Sequence, residues 1–247
     1  MKKLIALTLI AAWFFTAFQS DFLAEQKKYS RVKLAYKEKE KLLADKLKQE
    51  NLNLNNFELL FIGYKAEKEL NLFIKQKGTK QYRLFQTYSI CNSSGDLGPK
   101  SRQGDGQVPE GFYHINRFNP SSNFYLSLGL NYPNAADLIR AQLQGSPPGG
   151  DIFIHGECVT VGCLPMTNDI IKEIYVLAIQ ARYNGQTRIP VYIFPFRMTD
   201  ENMGKYSKEN NVDKVSFWEK LKPGNDAFEK TKAEVKFGND KFGNYKF

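Results

Sequence analysis

The feature that most restricts the fold of this chain is a series of short apolar runs beginning at Phe57. "FELLFIGY", "ELNLFIKQ", "YRLFQTYSIC", "GFYHINRF" and "NFYLSLGL" are each rich in aromatic and branched residues and are separated by turn residues. Side chains of that kind suit the pleated surface of a strand. "DIFIHG" and "IPVYIFPF" continue the texture, and the first sets Asp151, Phe153 and His155 alternately on one side. Between them "TNDIIKEIYVLAIQARYNG" predicts a helix capped by Thr167 or Asn168, with Gly185 beyond its end. The body is therefore β-rich with helical additions. At 42% hydrophobic and 14% aromatic residues the chain can bury a core, which excludes global disorder.

The flanks differ in character. "MKK" followed by "LIALTLIAAWFFTAF" is a short positive region before an uncharged stretch, so residues 1–20 read as an export signal peptide or, uncleaved, a membrane anchor. The stretch is short for a spanning helix, which needs about twenty residues. Residues 21–56 predict an amphipathic helix, with Val32, Ala35, Tyr36, Leu42, Leu43 and Leu47 among charges and "NLNLNN" at its end. It either packs on the body or spaces it from a membrane. Residues 57–197 form the body. Residues 198–247 read as a helix around "NVDKVSFWEKLK" and a strand-like extension packing on it.

The formal charge of +9 fits an anionic partner: nucleic acid, anionic lipid or an acidic wall polymer. The lysines gather at the two ends and form no basic stripe interleaved with aromatics, and no nucleic-acid motif appears. Export also separates the chain from chromosomal DNA. No nucleic acid is expected as partner, and membrane contact is expected only through the N-terminal segment.

One spacing carries chemistry. His155 stands eight residues before Cys163, with Gly156 and Gly162 in the intervening loop. A thiol near its ordinary pKa is mostly protonated at neutral pH, and imidazole is the side chain suited to removing that proton. Gly162 allows a sharp turn beside the sulfur, where the amides of Gly162 and Cys163 can face a developing oxyanion. The plainer alternative is that Cys163 is a small buried hydrophobe and His155 a satisfied strand-end histidine. Spacing alone leaves both open.

The stretch resembles the L,D-transpeptidase (YkuD-type) catalytic domain, whose signature is a His-Gly pair, a short loop and Gly-Cys, here His155, Gly156, Gly162 and Cys163. Supporting pieces stand in order: "SSGDLGPK" (93–100), "GDGQVPEGFYHI" (104–115), "NPSSNFYLSLGLNYPN" (119–134) and "GGDIFIHGECVTVGC" (149–163). The resemblance covers roughly residues 57–197 and is best to the exported, YafK-like murein branch. It implies an α+β, β-rich catalytic domain with a mixed β-sheet or sandwich core, preceded by an N-terminal helix. It also implies cysteine acyl transfer on peptidoglycan stem peptides, with Cys163 as nucleophile and His155 as base and proton donor. A main-chain carbonyl would orient the histidine. An amine acceptor gives a cross-link and water gives a trimmed stem, and some relatives release wall-attached lipoprotein by hydrolysis. No cofactor or metal is implied.

The sequence departs from that pattern in one respect. Many such enzymes carry an arginine soon after the cysteine, where this chain has Leu164, Pro165 and Met166. Lys100 and Arg102, in the glycine-rich loop, are candidates to hold a substrate carboxylate instead. Gly156 and Tyr132 are candidates to line the substrate site. Asp105 and Glu110 fit loop-fixing hydrogen bonds better than general acid work, and His114 fits a structural role. Cys91 and Cys158 either pair, leaving Cys163 free, or stay buried thiols. His155, His114 and a cysteine lack metal-ligand spacing.

Overall fold

Apolar residues at every second position of the central strands divide between two cores. The structure, a computed structural model, describes residues 22–247. The expected signal or anchor, residues 1–20, lies outside the described residues. Residues 22–26 are helical and lead into α1 (Ser30–Gln49). Then follow β1 (Phe57–Tyr64), β2 (Glu69–Gln76), β3 (Arg83–Ser89), β4 (Gly111–Ser122) and β5 (Tyr125–Leu130). After α2 (Ala135–Gln144) come β6 (Phe153–His155), β7 (Leu164–Pro165), α3 (Asn168–Tyr183) and β8 (Ile189–Phe194). The chain closes with α4 (Asp200–Glu209), α5 (Val212–Thr231) and a two-stranded pair, β9 (Gly238–Asn239) and β10 (Tyr245–Lys246).

Eight strands form one mixed sheet in the order β3-β2-β1-β8-β4-β5-β6-β7. β8 lies between β1, which it meets in parallel, and β4, which it meets antiparallel. This is the α+β, β-rich fold with a mixed sheet that the apolar runs and the resemblance imply. In β1, Phe57, Leu59 and Phe61 face one core while Leu60, Ile62 and Tyr64 face the other. In β8, Val191 and Ile193 face the first core and Tyr192 and Phe194 the second. A sheet covered on both faces needs such nearly continuous apolar strands. β4 changes partner along its length: Gly111–Ile115 pairs with β8, and the later residues pair with β5 through two register shifts.

The first core is closed by α1 and α3. Val32, Ala35, Tyr36, Leu43 and Leu47 of α1 are buried in this core, where α1 packs on α3. Lys39, nearly buried, donates to Asp169 at 2.7 Å and Glu173 at 3.3 Å, which fixes one helix on the other. Leu42, placed on the apolar stripe from sequence, is 41% exposed.

The second core is closed by α5 and the tail. This helix runs well past the predicted "NVDKVSFWEKLK", through Pro223 and Gly224 to Thr231. An interior proline forfeits a helical hydrogen bond, yet the buried contacts of Trp218, Leu221 and Phe228 hold the continuation in place. Gly224 is required by close approach: a Cβ there would overlap the rings of Phe112 and Phe247. The strand-like tail forms only the short β9–β10 pair, and buried Tyr245 accepts from Asn134 Nδ2 at 2.9 Å.

Helices α2 and α4 were not apparent in the sequence pattern. α2 has a capping box of Asn134 and Asp137 and ends at Gly145 in the left-handed region. α4 buries none of its residues fully, so it lacks an apolar stripe to read. Gly224→Ala is expected to lower unfolding free energy by about 1–3 kcal/mol, the usual cost of overpacking, measured by denaturant titration against wild type.

Candidate active site

The loop 156–163 joins two parallel strands, a connection that ordinarily takes a dozen or more residues. It is short because β6 and β7 are short. Strand pairing sets Ile154 beside Leu164 and His155 beside Pro165. Continued back by one residue, that register brings Cys163 next to Phe153, and alternation gives Phe153 and His155 the same face. The Cα atoms of His155 and Cys163 then lie roughly 8 Å apart, two residues along and one strand across. The Cys163 Sγ lies 3.7 Å from the Asp151 carbonyl. Asp151 itself has a φ of 56° and stands outside the strand, so the predicted alternation starts only at Phe153.

Five attachments hold the loop. The Cys91–Cys158 disulfide, with Cα atoms 5.5 Å apart, ties its middle to the chain just after β3. Asn92 Nδ2 donates to the Cys158 carbonyl at 3.0 Å. The Glu157 amide donates to Asn168 Oδ1 at 3.0 Å, at the start of α3. Thr160 Oγ1 accepts from the Cys163 amide at 2.9 Å and donates to its carbonyl at 3.0 Å. Finally the Gly162 amide donates to Ser94 Oγ at 2.6 Å. Gly162 has a φ of 97°, and a Cβ there would lie 3.0 Å from the Gln107 carbonyl oxygen. Both reasons require glycine.

His155 is 2% exposed. Its Nδ1 lies 2.6 Å from the Gly156 carbonyl oxygen, which can only accept, so Nδ1 carries the proton and Nε2 presents a lone pair. The Phe124 ring covers the imidazole with centroids 4.7 Å apart. Phe124 sits in the β4–β5 turn, which Arg31 of α1 clamps by donating to the Ser122 and Tyr125 carbonyls at 2.6 Å each. The N-terminal helix thus fixes the residue that shields the imidazole.

Electrostatics keep both groups neutral at rest. Burial pushes the His155 imidazole below its ordinary 6.5, and the Gly156 carbonyl and Glu157 offset this only in part. Burial likewise pushes the Cys163 thiol above its ordinary 9.0, with a main-chain contact at Phe153 and the Lys100 charge opposing it. Both shifts favour the uncharged forms, a thiol and a neutral imidazole.

Cys163 opens onto a cavity of about 270 Å³. Ile90, Val108 and Leu164 give it an apolar floor; Lys68, Ser94 and Asp96 lie on its wall. Of the candidate site residues singled out from sequence, only Cys163 lines this cavity; Gly162 precedes it in the loop, and the strand register sets His155 one strand across. Gly156 is buried beneath the site, its amide bonded to the Leu126 carbonyl and its Cα packed against Asn168 and Tyr125. It orients the histidine and does not line the cavity. Tyr132 is 5% exposed, donates to the Pro148 carbonyl at 3.1 Å and packs on Tyr113, away from the thiol. Lys100 is near Cys163 but donates to Asp105 at 2.5 Å, with both side chains nearly buried. Its charge is already compensated. Arg102 is exposed and lies outside the cavity lining. The Gly162 and Cys163 amides, expected to face an oxyanion, are taken by the Ser94 and Thr160 hydroxyls in this state.

Asp105 and Glu110 fix the loop. Asp105 accepts from the Ser101, Arg102 and Gln107 amides. Glu110, with no exposed surface, accepts from Lys65, the Gly98 amide and Trp218 Nε1. Sequence reasoning missed Ser94, Thr160 and Phe124. The "NSSG" before the glycine-rich loop offered a signal for Ser94, whereas Phe124 required knowing which strand pairs with β6. His114 lines a separate cavity with Arg188 and Glu234. Among the described residues no group of three histidine, cysteine or acidic side chains could hold a metal.

A family model described as the L,D-transpeptidase catalytic domain (YkuD) matches residues 60–193. The Escherichia coli (strain K12) protein named "Putative L,D-transpeptidase YafK" is 43% identical over 171 residues, covering 68% of this chain and 65% of that relative. The chain therefore spans less than two thirds of the length of that relative. Among solved structures, the helical cell shape determining protein Pgp2 from Campylobacter jejuni is similar at a TM-score of 0.44 and 19% identity, covering 74% of each chain. Bd1075 from Bdellovibrio bacteriovorus is similar at a TM-score of 0.39 and 22% identity, over 56% of this chain and 48% of that one.

A neutral resting thiol has a direct kinetic signature. Alkylation of Cys163 by iodoacetamide should rise with pH to a midpoint above 9.0, without the plateau near pH 6 that a thiolate–imidazolium pair gives. Rates followed by intact mass across pH 5–10 check this.

Proposed function

The chain belongs to the YkuD family of L,D-transpeptidase catalytic domains, and on that premise we propose that it is an exported enzyme that transfers acyl groups of peptidoglycan stem peptides through a thioester on Cys163. The observation that supports this reading is the parallel β6–β7 register, which sets Cys163 one strand across from His155, with Cys163 itself at the mouth of a cavity.

Cys163 Sγ attacks the carbonyl of the third stem residue while His155 Nε2 takes the thiol proton. The Gly156 carbonyl stabilises the imidazolium that forms, in the role an aspartate fills elsewhere. Collapse of the tetrahedral intermediate breaks the peptide bond, and His155 returns the proton to the departing D-alanine amine. An acceptor amine then attacks the thioester, His155 removes its proton, and the thiol is restored with a new cross-link. Water in place of the amine yields a trimmed stem; where the amide attacked joins the stem to a lipoprotein amine, that amine leaves as the thioester forms, and water then releases the stem. Oxyanion stabilisation by the Gly162 and Cys163 amides requires the Ser94 and Thr160 hydroxyls to yield, which substrate binding in the cavity can drive.

Export is supported by the Cys91–Cys158 disulfide, a bond that persists in oxidising compartments. Burial of both groups supports a neutral pair that moves its proton only during attack, since it disfavours both charged forms.

Purified protein incubated with stem tetrapeptides should release D-alanine and carry acyl mass on the peptide containing Cys163. Cys163→Ala should abolish the adduct, and His155→Ala should slow D-alanine release by about 10³-fold or more. Wall binding without any released D-alanine would overturn the assignment in favour of a non-catalytic binding protein. The acid limb of kcat/KM should lie below pH 6.5, because the buried imidazole stays neutral to a lower pH than a free one. A rate profile from pH 4 to 8 measures it.

A further inference from the structure

Three lysines are candidates to give the region around the thiol a positive charge, and two are spent. Lys65 Nζ donates to the Gly98 carbonyl at 2.8 Å, the Val108 carbonyl at 3.0 Å and Glu110 at 2.9 Å, which uses all three of its protons. Lys100 is held by Asp105. Lys68 remains. It lines the same cavity as Cys163, and among the described residues its ammonium has no hydrogen-bonding or ionic partner.

The backbone at Lys68 supports a role for that side chain. Its φ is 53°, in the left-handed region where glycine or asparagine is easier to place. The turn is held there, because the Lys68 amide donates to the Lys65 carbonyl and the Lys68 carbonyl accepts from Ile90. The preceding Lys65 and Ala66 amides are bonded to Phe194 and Pro195. A strained conformation fixed on several sides at the mouth of a cavity is a common property of binding sites.

The cavity also has an exposed carboxylate that no protein group holds. Asp96 lines it, its amide donating to Gln107 Oε1 at 3.1 Å, and its carboxylate has no partner among the described residues. Lys68 and Asp96 therefore share one cavity without pairing with each other. An ion pair between them would have satisfied each with the other. Apart they suit a ligand that has both charges.

We propose that Lys68 and Asp96 determine substrate specificity by binding, respectively, the carboxylate and the ammonium of an amino-acid end on the substrate segment that enters the Cys163 cavity. This rests on the reading of Cys163 as the nucleophile for a stem peptide. It places carboxylate recognition on the β1–β2 turn and not on the glycine-rich loop. Ile90, Val108 and Leu164 pack the methylene chain that leads to that end.

Binding is measured by calorimetry on Cys163→Ala protein, so that turnover plays no part. The probes are a stem tetrapeptide whose third side chain ends in a free amine and carboxylate, its carboxamide, and its N-acetyl form. The free peptide should bind about tenfold or more tightly than either blocked form, the scale of one charge-assisted hydrogen bond. Lys68→Asn, which tolerates the left-handed backbone, should erase the preference over the carboxamide and leave that over the N-acetyl form. Lys68→Arg should keep both preferences. Asp96→Asn should erase only the preference over the N-acetyl form.

Equal affinity for the three peptides, or unchanged preferences in Lys68→Asn and Asp96→Asn, would overturn the inference. The same peptides given to protein that retains Cys163 report the acyl adduct separately. Charge preference without an adduct would leave the proposed reaction wrong and this binding assignment intact. An adduct without charge preference would do the reverse.

Discussion

Glu110 is wholly buried, and the groups that neutralise it come from three separate parts of the chain. Lys65 belongs to the turn between the first two strands, Gly98 to the glycine-rich loop and Trp218 to the long C-terminal helix. A buried carboxylate is tolerated only when its charge is compensated and its lone pairs are filled. That requirement draws the three segments together around one point, and two of them contribute walls of the Cys163 cavity. The long loop 92–110 is thereby held as a wall, with Asp105 making a second hub of backbone amides and Lys100 inside it. The cavity depends on electrostatic satisfaction as much as on apolar packing.

On the other side, β6 ends at His155 and β7 begins just after Cys163. The loop between His155 and Cys163 has little freedom: a disulfide, two side-chain amides and two hydroxyls hold it at five points. Closing a loop of 67 residues by the Cys91–Cys158 bond restricts the unfolded chain by about 4 kcal/mol in the entropic account. Phe124 and the Gly156 carbonyl hold the imidazole from two sides, and Arg31 links that arrangement to the N-terminal helix. The helix therefore supports the geometry of the site from the far side of the sheet. Preorganisation of this kind matters most for a neutral pair, whose nucleophile forms only as the proton moves.

Charge near the thiol is nearly balanced despite the chain's net +9. Lys65 and Lys100 face Glu110 and Asp105 at short range, so neither offers a free cation. Lys100, expected to stand in for the missing arginine, is held by a loop carboxylate five residues along. Sequence shows that a lysine and an aspartate share a loop. It does not show that both are buried together, which turns a solvated charge into a structural one.

Local chemistry made much of this protein readable without coordinates. Runs of branched and aromatic residues gave the principal strands, because alternate side chains must face the two cores. Thr167 and the apolar residues after it gave the helix that follows the cysteine. His155, Gly162 and Cys163 were legible because a histidine, a cysteine and a glycine in a left-handed turn fall within one short stretch of the chain. Tertiary structure alone decided which amides are already bonded, which lysine keeps its charge, and that Tyr132 and Gly156 pack beneath or beside the site. It also carried the last long helix through Pro223, since buried contacts outweighed local propensity. The division is physical: periodicity and turn chemistry act over a few residues, whereas burial and charge compensation depend on groups far apart in sequence.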